Sequence, residues 1–483
     1  KPAVQPNHLA ATRPAPRAMN TVAILGAGIT GLVAAYRLQR LGVAATVYEA
    51  ADRPGGVVQT HLQDGYLAEA GPNTLLETSP RIRQLLLDLE LEEELVGSNP
   101  NATKRYLVRE GHPSPLPDSL PGWLRTDLFS LTAKLRVLGD LLQPRYAPDG
   151  EEDLAHFVVR RLGREFLDRA INPFVAGVYA GDPQHLSVRE AFPRLHAVEQ
   201  KYGSLLLGQV LGARERKRRG ETPRANAPKL SFLRGLGTLG RALHDNLGYS
   251  VLLRTTVTGI RRTADSWYVT STRDGKTTTH SHRAVLLAAP AHKLAHLAWE
   301  TPDHSSLTWL DDIEYAPVTA LVLGFRRDDV EHPLDGFGVL VPEVEKLPIL
   351  GAIFNSSLFP NRAPEGHVTL TCYLGGTRDP KLALAPFDDQ LQSTLAALRS
   401  LLGVRGAPTF IHHTVHTRGI PQYNVGFGQF RDRMRALEDA NPGLLLAGHF
   451  RNGISLSDCV IAGDDAGWKL AGVERPDFHA SAP

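Results

Sequence analysis

The chain has 483 residues, too many for one compact core, so two or three structural units are expected. At 42% hydrophobic and 22% charged it is ordinary globular material, and 53 Lys and Arg against 51 Asp and Glu leave a net charge of +2, which argues against a nucleic-acid partner drawn in by a global field. Cys372 and Cys459 are its only cysteines, too few for a disulfide framework or a structural zinc site, and they point to a reducing compartment.

Residues 1–18 are rich in Pro and Ala, carry Arg13 and Arg17, and have no apolar h-region, which argues against a secretory signal. They read as a disordered extension ahead of a domain that begins at Met19, with an organelle-targeting remnant as the alternative. The longest uncharged apolar stretch, near 202–213, is about half the ~20 residues that a membrane-spanning helix needs. A soluble or surface-bound protein is therefore expected.

Thr21 to Leu25 is a β-branched and apolar run that leads directly into Gly26-Ala27-Gly28-Ile29-Thr30-Gly31. Leu32 to Leu41 has apolar residues at helical spacing, and a second strand, Ala44 to Tyr48, ends in Glu49. The βαβ unit closes in about thirty residues with an acid at its end, the dinucleotide fingerprint. Gly26 permits the tight turn, Gly28 lets the backbone approach a pyrophosphate, and Gly31 lets the helix pack closely on the strand. The phosphates would lie at the positive end of the helix, and Glu49 would accept hydrogen bonds from the ribose hydroxyls. Just beyond, Arg53-Pro54-Gly55-Gly56 supplies a second glycine pair and a cation suited to the longer FAD. Glu49 through Gly56 resembles the corresponding stretch of the amine-oxidase-type flavoproteins.

From 101 to 225 the texture changes: Pro-punctuated at first, then helical, with an amphipathic helix expected over Asp153 to Arg169. A basic run follows at Arg214, Arg216, Lys217, Arg218 and Arg219. Cofactor-domain character resumes at Leu230, with a helix introduced by Ser231 to Gly237, strands at Val251 to Ile260 and Trp267 to Thr270, and a buried strand from Ala284 to Ala289. Strands at Val318 to Phe325, His367 to Leu374 and Thr409 to His416, with a helix at Asp388 to Leu402, suggest a sheet-plus-helix substrate unit. Pro442 to Leu446 is a last buried strand, and Gly453-Ile454-Ser455-Leu456 opens a final helix whose N-terminus would seat the flavin end of FAD.

Four stretches together resemble the protoporphyrinogen oxidase family, most closely its plant mitochondrial type. They are Glu69-Ala70-Gly71-Pro72-Asn73, the run from Asn172 to Pro183 with Gly177-Val178-Tyr179-Ala180-Gly181-Asp182-Pro183 as its most specific element, Phe337 to Pro342, and Gly448 to Leu456. The resemblance runs from about Thr21 to Leu470. It implies an α/β fold: a Rossmann-type FAD-binding domain in three segments (19–100, 226–304, 429–475), an inserted helical membrane-binding domain (101–225) and an α+β substrate-binding domain (305–428). It also implies oxidation of protoporphyrinogen IX to protoporphyrin IX, by six electrons in three flavin cycles. Oxygen or another acceptor would reoxidise the flavin, with hydrogen peroxide formed from oxygen.

Residue by residue, the resemblance places Arg105 on a propionate of the tetrapyrrole, with Lys104 as a competitor one position away. A guanidinium fork suits a carboxylate. Leu340, Ile353 and Tyr373 match the positions that sandwich the rings, Tyr373 replacing an expected phenylalanine. Ala180 and Gly181 match backbone lining the pocket near the reacting bridge, so bulk at Gly181 is expected to harm substrate more than flavin. Arg105 and Gly181 are the candidates nearest the chemistry. Candidate cofactor contacts are Gly26, Gly28, Ile29, Thr30 and Gly31, then Glu49, Ala50, Arg53, Gly55 and Gly56. Gly71, Pro72, Asn73, Thr74, Val257 and Ala289 follow, with Gly448, His449, Ile454, Ser455 and Leu456 at the far end.

His412, His413 and His416 lack a carboxylate or cysteine partner and read as ladder histidines, so no metal is expected. The basic run after apolar Leu205 to Leu211 would press into a headgroup layer, giving a peripheral membrane protein, cytoplasmic or organellar if eukaryotic. A homodimer is a further implication of the resemblance. The rival functions are coproporphyrinogen III oxidation and amine oxidation on the same fold. The latter wants an aromatic cage, and no two aromatics near Gly448 stand out to supply one.

Overall fold

The computed structural model describes residues 21–144, 150–209, 211–212 and 227–476. The 1–18 extension and the basic run at 214–219 lie outside the described residues.

A five-stranded sheet forms one centre, in the order Val251–Leu252, Ala45–Tyr48, Val22–Leu25, Ala284–Leu287, Leu444–Leu446, with every neighbouring pair parallel. The strands Val22–Leu25, Ala284–Leu287 and Leu444–Leu446 are continuous apolar runs because both faces are covered. Val22, Ile24, Val47 and Leu286 face one cluster, packed by the helices Ile29–Arg40, Gly237–Leu247 and Leu456–Ala471. Ala23, Leu25, Val285 and Leu287 face a second cluster, shared with a four-stranded sheet through Ile260, Trp267 and Val269. The chain leaves Val22–Leu25 for a neighbour on one side and later returns on the other. The crevice at that strand's carboxyl end is therefore a topological switch point, where ligands of such sheets bind.

A seven-stranded mixed sheet forms the other centre, in the order Phe410–Pro421, Tyr315–Arg326, His367–Gly375, Ile349–Phe354, Gly336–Leu340, Lys104–Arg109, His112–Pro115. Side chains alternate across it. Tyr106, Val339, Phe354, Cys372 and Leu323 meet the helix Phe387–Leu402 on one face.

Local departures from the sequence reading have identifiable causes. The expected strand over Val251 to Ile260 is broken by Arg254, at φ +54°, so that Val251–Leu252 joins the parallel sheet and Thr256–Arg262 the four-stranded one. The expected helix over Asp153 to Arg169 stops at Arg161, because Gly163 takes φ +98° and the chain restarts in a different direction. Residues 104–115 are two strands of the seven-stranded sheet rather than part of a helical insert, which pairs Arg105 with Gly338 in register.

Candidate active site

The turn after the first strand is shaped as a cradle. Gly26 sits at φ +103°, and an added Cβ at Gly31 would stand 2.1 Å from the Gly26 carbonyl oxygen, so close helix-to-strand packing requires glycine there. At Gly28 an added Cβ would meet nothing within 4 Å, which leaves open the space in front of the turn that a pyrophosphate needs. The Ile29–Arg40 helix has neither a side-chain cap nor an acidic residue in its first turn, so its N-terminal N–H groups are directed at that space without local competition.

The second glycine pair is brought to the first. Gly55 N–H donates to the Ala27 carbonyl at 2.8 Å, and an added Cβ at Gly56 would lie 3.3 Å from Gly28 Cα. Gly240, absent from the sequence candidates, completes the cluster: an added Cβ there would lie 3.0 Å from Gly55 Cα. Glu49 accepts the Ala27 N–H at 2.7 Å on one oxygen and the Ala51 N–H at 2.8 Å on the other. Those bonds hold the carboxylate in place, and its remaining lone pairs can serve ribose hydroxyls. The Glu49 carbonyl also accepts Thr255 N–H, which draws the chain next to Val257 toward Ala50. Arg53 is exposed and has no side-chain partner among the described residues. Ala289 lies against Gly26, 3.1 Å from where a Cβ would be.

Ile29 and Leu456 are buried in the apolar cluster behind the cradle, so only their backbone can face a cofactor. The final helix differs electrostatically from the first. Asp458 N–H donates to Ser455 Oγ at 3.1 Å while the Asp458 carboxylate takes the Ser455 N–H, a capping box that places a carboxylate in the first turn. That end is less suited to an anion than the first helix. Its fixed neighbours are Gly448, at φ +141°, and Gly453, whose N–H donates to Tyr423 Oη at 2.9 Å. Tyr423 in turn donates to the His449 carbonyl, and Tyr315 stands edge-on to the His449 ring at 5.7 Å. Both tyrosines reach this turn from outside the Gly448 segment, which is why no two aromatics near Gly448 stood out in the sequence. Tyr423 is buried, and Tyr315 Oη accepts the Ala291 N–H. Burial, with a smaller push from His292, lowers the His449 pKa to about 4 and keeps its ring neutral.

The substrate-side candidates share one face of the seven-stranded sheet, opposite the face filled by the helix Phe387–Leu402. Arg105 pairs with Gly338, Gly338 with Ile353, Ile353 with Thr371, and Leu340 and Tyr373 follow two residues along their strands. The helix Asn172–Tyr179 crosses this face: an added Cβ at Gly177 would fall 2.6 Å from a Leu340 methyl, and Ala176 and Ala180 pack with Tyr373. Ala180 ends that helix at φ +49°, its carbonyl accepting Thr377 N–H at 2.7 Å. Lys104 is held by Asp335 at 2.5 Å, whereas Arg105 is exposed and has no side-chain partner among the described residues. Of the two competitors, Arg105 is the one free to meet a carboxylate.

At Gly181 the geometry differs from the sequence expectation. An added Cβ would stand 2.4 Å from Gln422 Oε1, so bulk there displaces the buried Gln422 rather than simply narrowing a pocket. Tyr373 is not a plain apolar wall either. Its hydroxyl accepts from Asn73 Nδ2, Asn355 Nδ2 donates to Asn73 Oδ1 at 2.5 Å, and Thr371 Oγ1 donates to Asn355 Oδ1 at 2.7 Å. Asn355 and Thr371 carried no sequence signal, since nothing local marks an amide that will meet another 282 residues away. Burial, and after it the charge of Glu69, pushes the Tyr373 phenol well above its ordinary range. His413 bonds Gln390, His416 bonds the Ala70 carbonyl, and His412 stacks on His61, so each histidine has a structural occupation.

A profile of the flavin-containing amine oxidoreductases matches residues 29–466. The mitochondrial protoporphyrinogen oxidase of Nicotiana tabacum is 32% identical over 475 residues, covering 92% of this chain and 93% of that one. The coproporphyrinogen III oxidase of Bacillus subtilis (strain 168) is 29% identical, covering 92% of this chain and 96% of its own. Among solved structures, a candidate protoporphyrinogen oxidase from Exiguobacterium sp. 255-15 superposes with a TM-score of 0.79 at 25% identity, covering 94% of this chain and 98% of that one. The glycine cradle and Glu49 fit the cofactor that this match requires. The chain belongs to the flavin-containing amine oxidoreductase family, in the branch that includes the protoporphyrinogen oxidases, and is an FAD-dependent oxidoreductase.

Proposed function

We propose that the protein oxidises protoporphyrinogen IX to protoporphyrin IX. The observation that carries this reading is the single sheet face holding Arg105, Leu340, Ile353 and Tyr373 beneath the helix Asn172–Tyr179. A largely apolar macrocycle with a carboxylate edge, puckered at its methylene bridges and flat once oxidised, matches apolar walls ending in a guanidinium that has no side-chain partner among the described residues. FAD, which the glycine cradle and Glu49 would hold, would supply a two-electron oxidation in each round, with oxygen as the proposed final acceptor and hydrogen peroxide as its product. Three rounds would remove six electrons.

The chain's own work is placement. Arg105 binds a propionate and sets which bridging carbon faces the cofactor, while Leu340 and Ile353 exclude water from the ring face. Asn73 holds the Tyr373 hydroxyl and so fixes the tilt of that wall. The protons that leave need no strong base, because loss of a hydride from a bridging carbon leaves a cation whose pyrrole N–H is acidic, and the hydrogen of the fourth bridge leaves as a proton by tautomerisation.

The similarity to a coproporphyrinogen III oxidase keeps that substrate as the second reading. Supplying the two porphyrinogens separately to the yellow holoenzyme and following porphyrin fluorescence decides between them. Faster turnover of protoporphyrinogen is expected. Preference for coproporphyrinogen would move the assignment to the second reading, and a flavin-loaded preparation that converts neither would overturn both.

The proposed setting is a membrane surface, cytoplasmic or organellar in a eukaryote. The helix Leu131–Leu138 and the turn after it present Leu131 and Leu142 at 71% and 88% exposure, with Leu135 and Leu138 between them. No described helix is long and apolar enough to cross a membrane.

A further inference from the structure

We propose that Lys229 is a second carboxylate-binding residue of the substrate slot, which together with Arg105 grips two propionates on one edge of the macrocycle. This deepens the porphyrinogen reading and rests on it.

Lys229 opens the strand Lys229–Phe232. Leu230 and Phe232 enter the cluster behind the cofactor cradle, so strand alternation sends Lys229 and Ser231 to the other side. What that side faces is shown by Ser231, whose hydroxyl accepts from Arg362 at 2.7 Å, a residue of the connection between two strands of the seven-stranded sheet. The Lys229 carbonyl accepts Ser98 N–H at 2.9 Å, and next to it Asn99 N–H donates to the Leu358 carbonyl at 2.8 Å. Leu358 in turn packs in a cluster with Phe337 and Ile353, which adjoin Gly338, the register partner of Arg105, along its strand and across the next. Lys229 is thus delivered to the end of the slot at which Arg105 stands.

Among the described residues neither the Lys229 ammonium nor the Arg105 guanidinium has an ion pair or a side-chain hydrogen bond. Lys229 is half-buried, and its pKa is pushed below the ordinary lysine range, first by that burial and then by the charge of Arg105. Two unpaired cations that feel each other do not stabilise a fold. The neighbouring Lys104, by contrast, is neutralised by Asp335. An anionic ligand edge relieves both cations at once, and a porphyrinogen with propionates on adjacent rings presents two carboxylates side by side. The guanidinium supplies a bidentate fork and the ammonium a point charge, so the pair fixes orientation as well as charge.

The test uses the FAD-loaded enzyme, with protoporphyrinogen IX and its dimethyl ester as parallel substrates. Lys229→Met should raise KM for the diacid about tenfold while kcat stays within about twofold, since a ground-state binding contact is lost. KM for the diester should hardly move, and Lys229→Arg should restore most of the affinity for the diacid. Flavin content and thermal midpoint should be unchanged. A wild-type KM for the diacid in Lys229→Met, or an equal loss on the diester, would overturn the assignment, the latter by exposing a merely structural role. A wild-type enzyme that turns over neither compound would instead defeat the porphyrinogen reading, and the Lys229 assignment with it.

Discussion

Tyr373 shows how much a single hydroxyl can do at a junction. A phenylalanine would fill the same wall, but the tyrosine closes a line of hydrogen bonds from Thr371 through Asn355 and Asn73 that ties the substrate-side sheet to the Gly71-Pro72-Asn73 turn. Tyr373→Phe leaves a buried Asn73 donor without its acceptor, a loss of about 1–3 kcal/mol. The expected outcome is a lower temperature of flavin release and a KM raised several-fold with little change in kcat. Calorimetry of the holoenzyme together with steady-state kinetics checks it, and an unchanged release temperature would mean that the hydroxyl is idle. At the same scale, Arg105 was legible only through resemblance, and its freedom from Lys104's partner Asp335 could be seen only in three dimensions.

Among the elements, the first and last helices are locked by two glycines of the last. An added Cβ at Gly463 would stand 2.4 Å from the Thr30 carbonyl oxygen, whereas at Gly467 it would meet the Arg37 side chain at 2.6 Å. Neither a backbone oxygen nor a Cβ, which is fixed to its own backbone, can swing aside, and at Gly467 the clash is with Arg37 Cβ and with the Ala34 carbonyl oxygen at 3.1 Å. Gly463→Ala should therefore destabilise by about 1–3 kcal/mol through overpacking, outweighing the helix-propensity gain of about 1 kcal/mol. Gly467→Ala should cost a similar amount, because Arg37 Cβ moves only with its helix and the 2.6 Å ion pair to Asp464 holds the rest of that side chain. Thermal midpoints of the two variants check both losses. Because Thr30 lies in the cradle helix, Gly463→Ala should also lower flavin content.

For the whole molecule, two sheets divide the labour: the parallel sheet offers a switch-point crevice, and the mixed sheet offers one face free of its covering helix. The exposed leucines of Leu131–Leu142 belong to neither core. If they meet a membrane, each would contribute up to about 1.5–3 kcal/mol by burial. Replacing Leu135, Leu138 and Leu142 together by Ser should lower cosedimentation with anionic vesicles by at least about tenfold, while activity on detergent-dispersed substrate is retained. Equal cosedimentation of the variant would remove these leucines from the membrane contact.

The cofactor half was written locally. Strand, glycine turn, helix, strand and Glu49 fall within about thirty residues, and backbone sterics alone dictate glycine where φ is positive or a helix must touch a strand. Outside residues 104–115, most element types survived, whereas their ends did not: Gly163 and Arg254 break elements where the local apolar pattern continues, because the next packing partner lies in another direction. The substrate half was decided by tertiary structure. Strand pairing over hundreds of residues sets which of Lys104 and Arg105 is neutralised, brings Asn355 to Asn73, and turns Lys229 toward a slot made elsewhere. Such pairings depend on register and alternation between distant strands, quantities that no window of sequence contains.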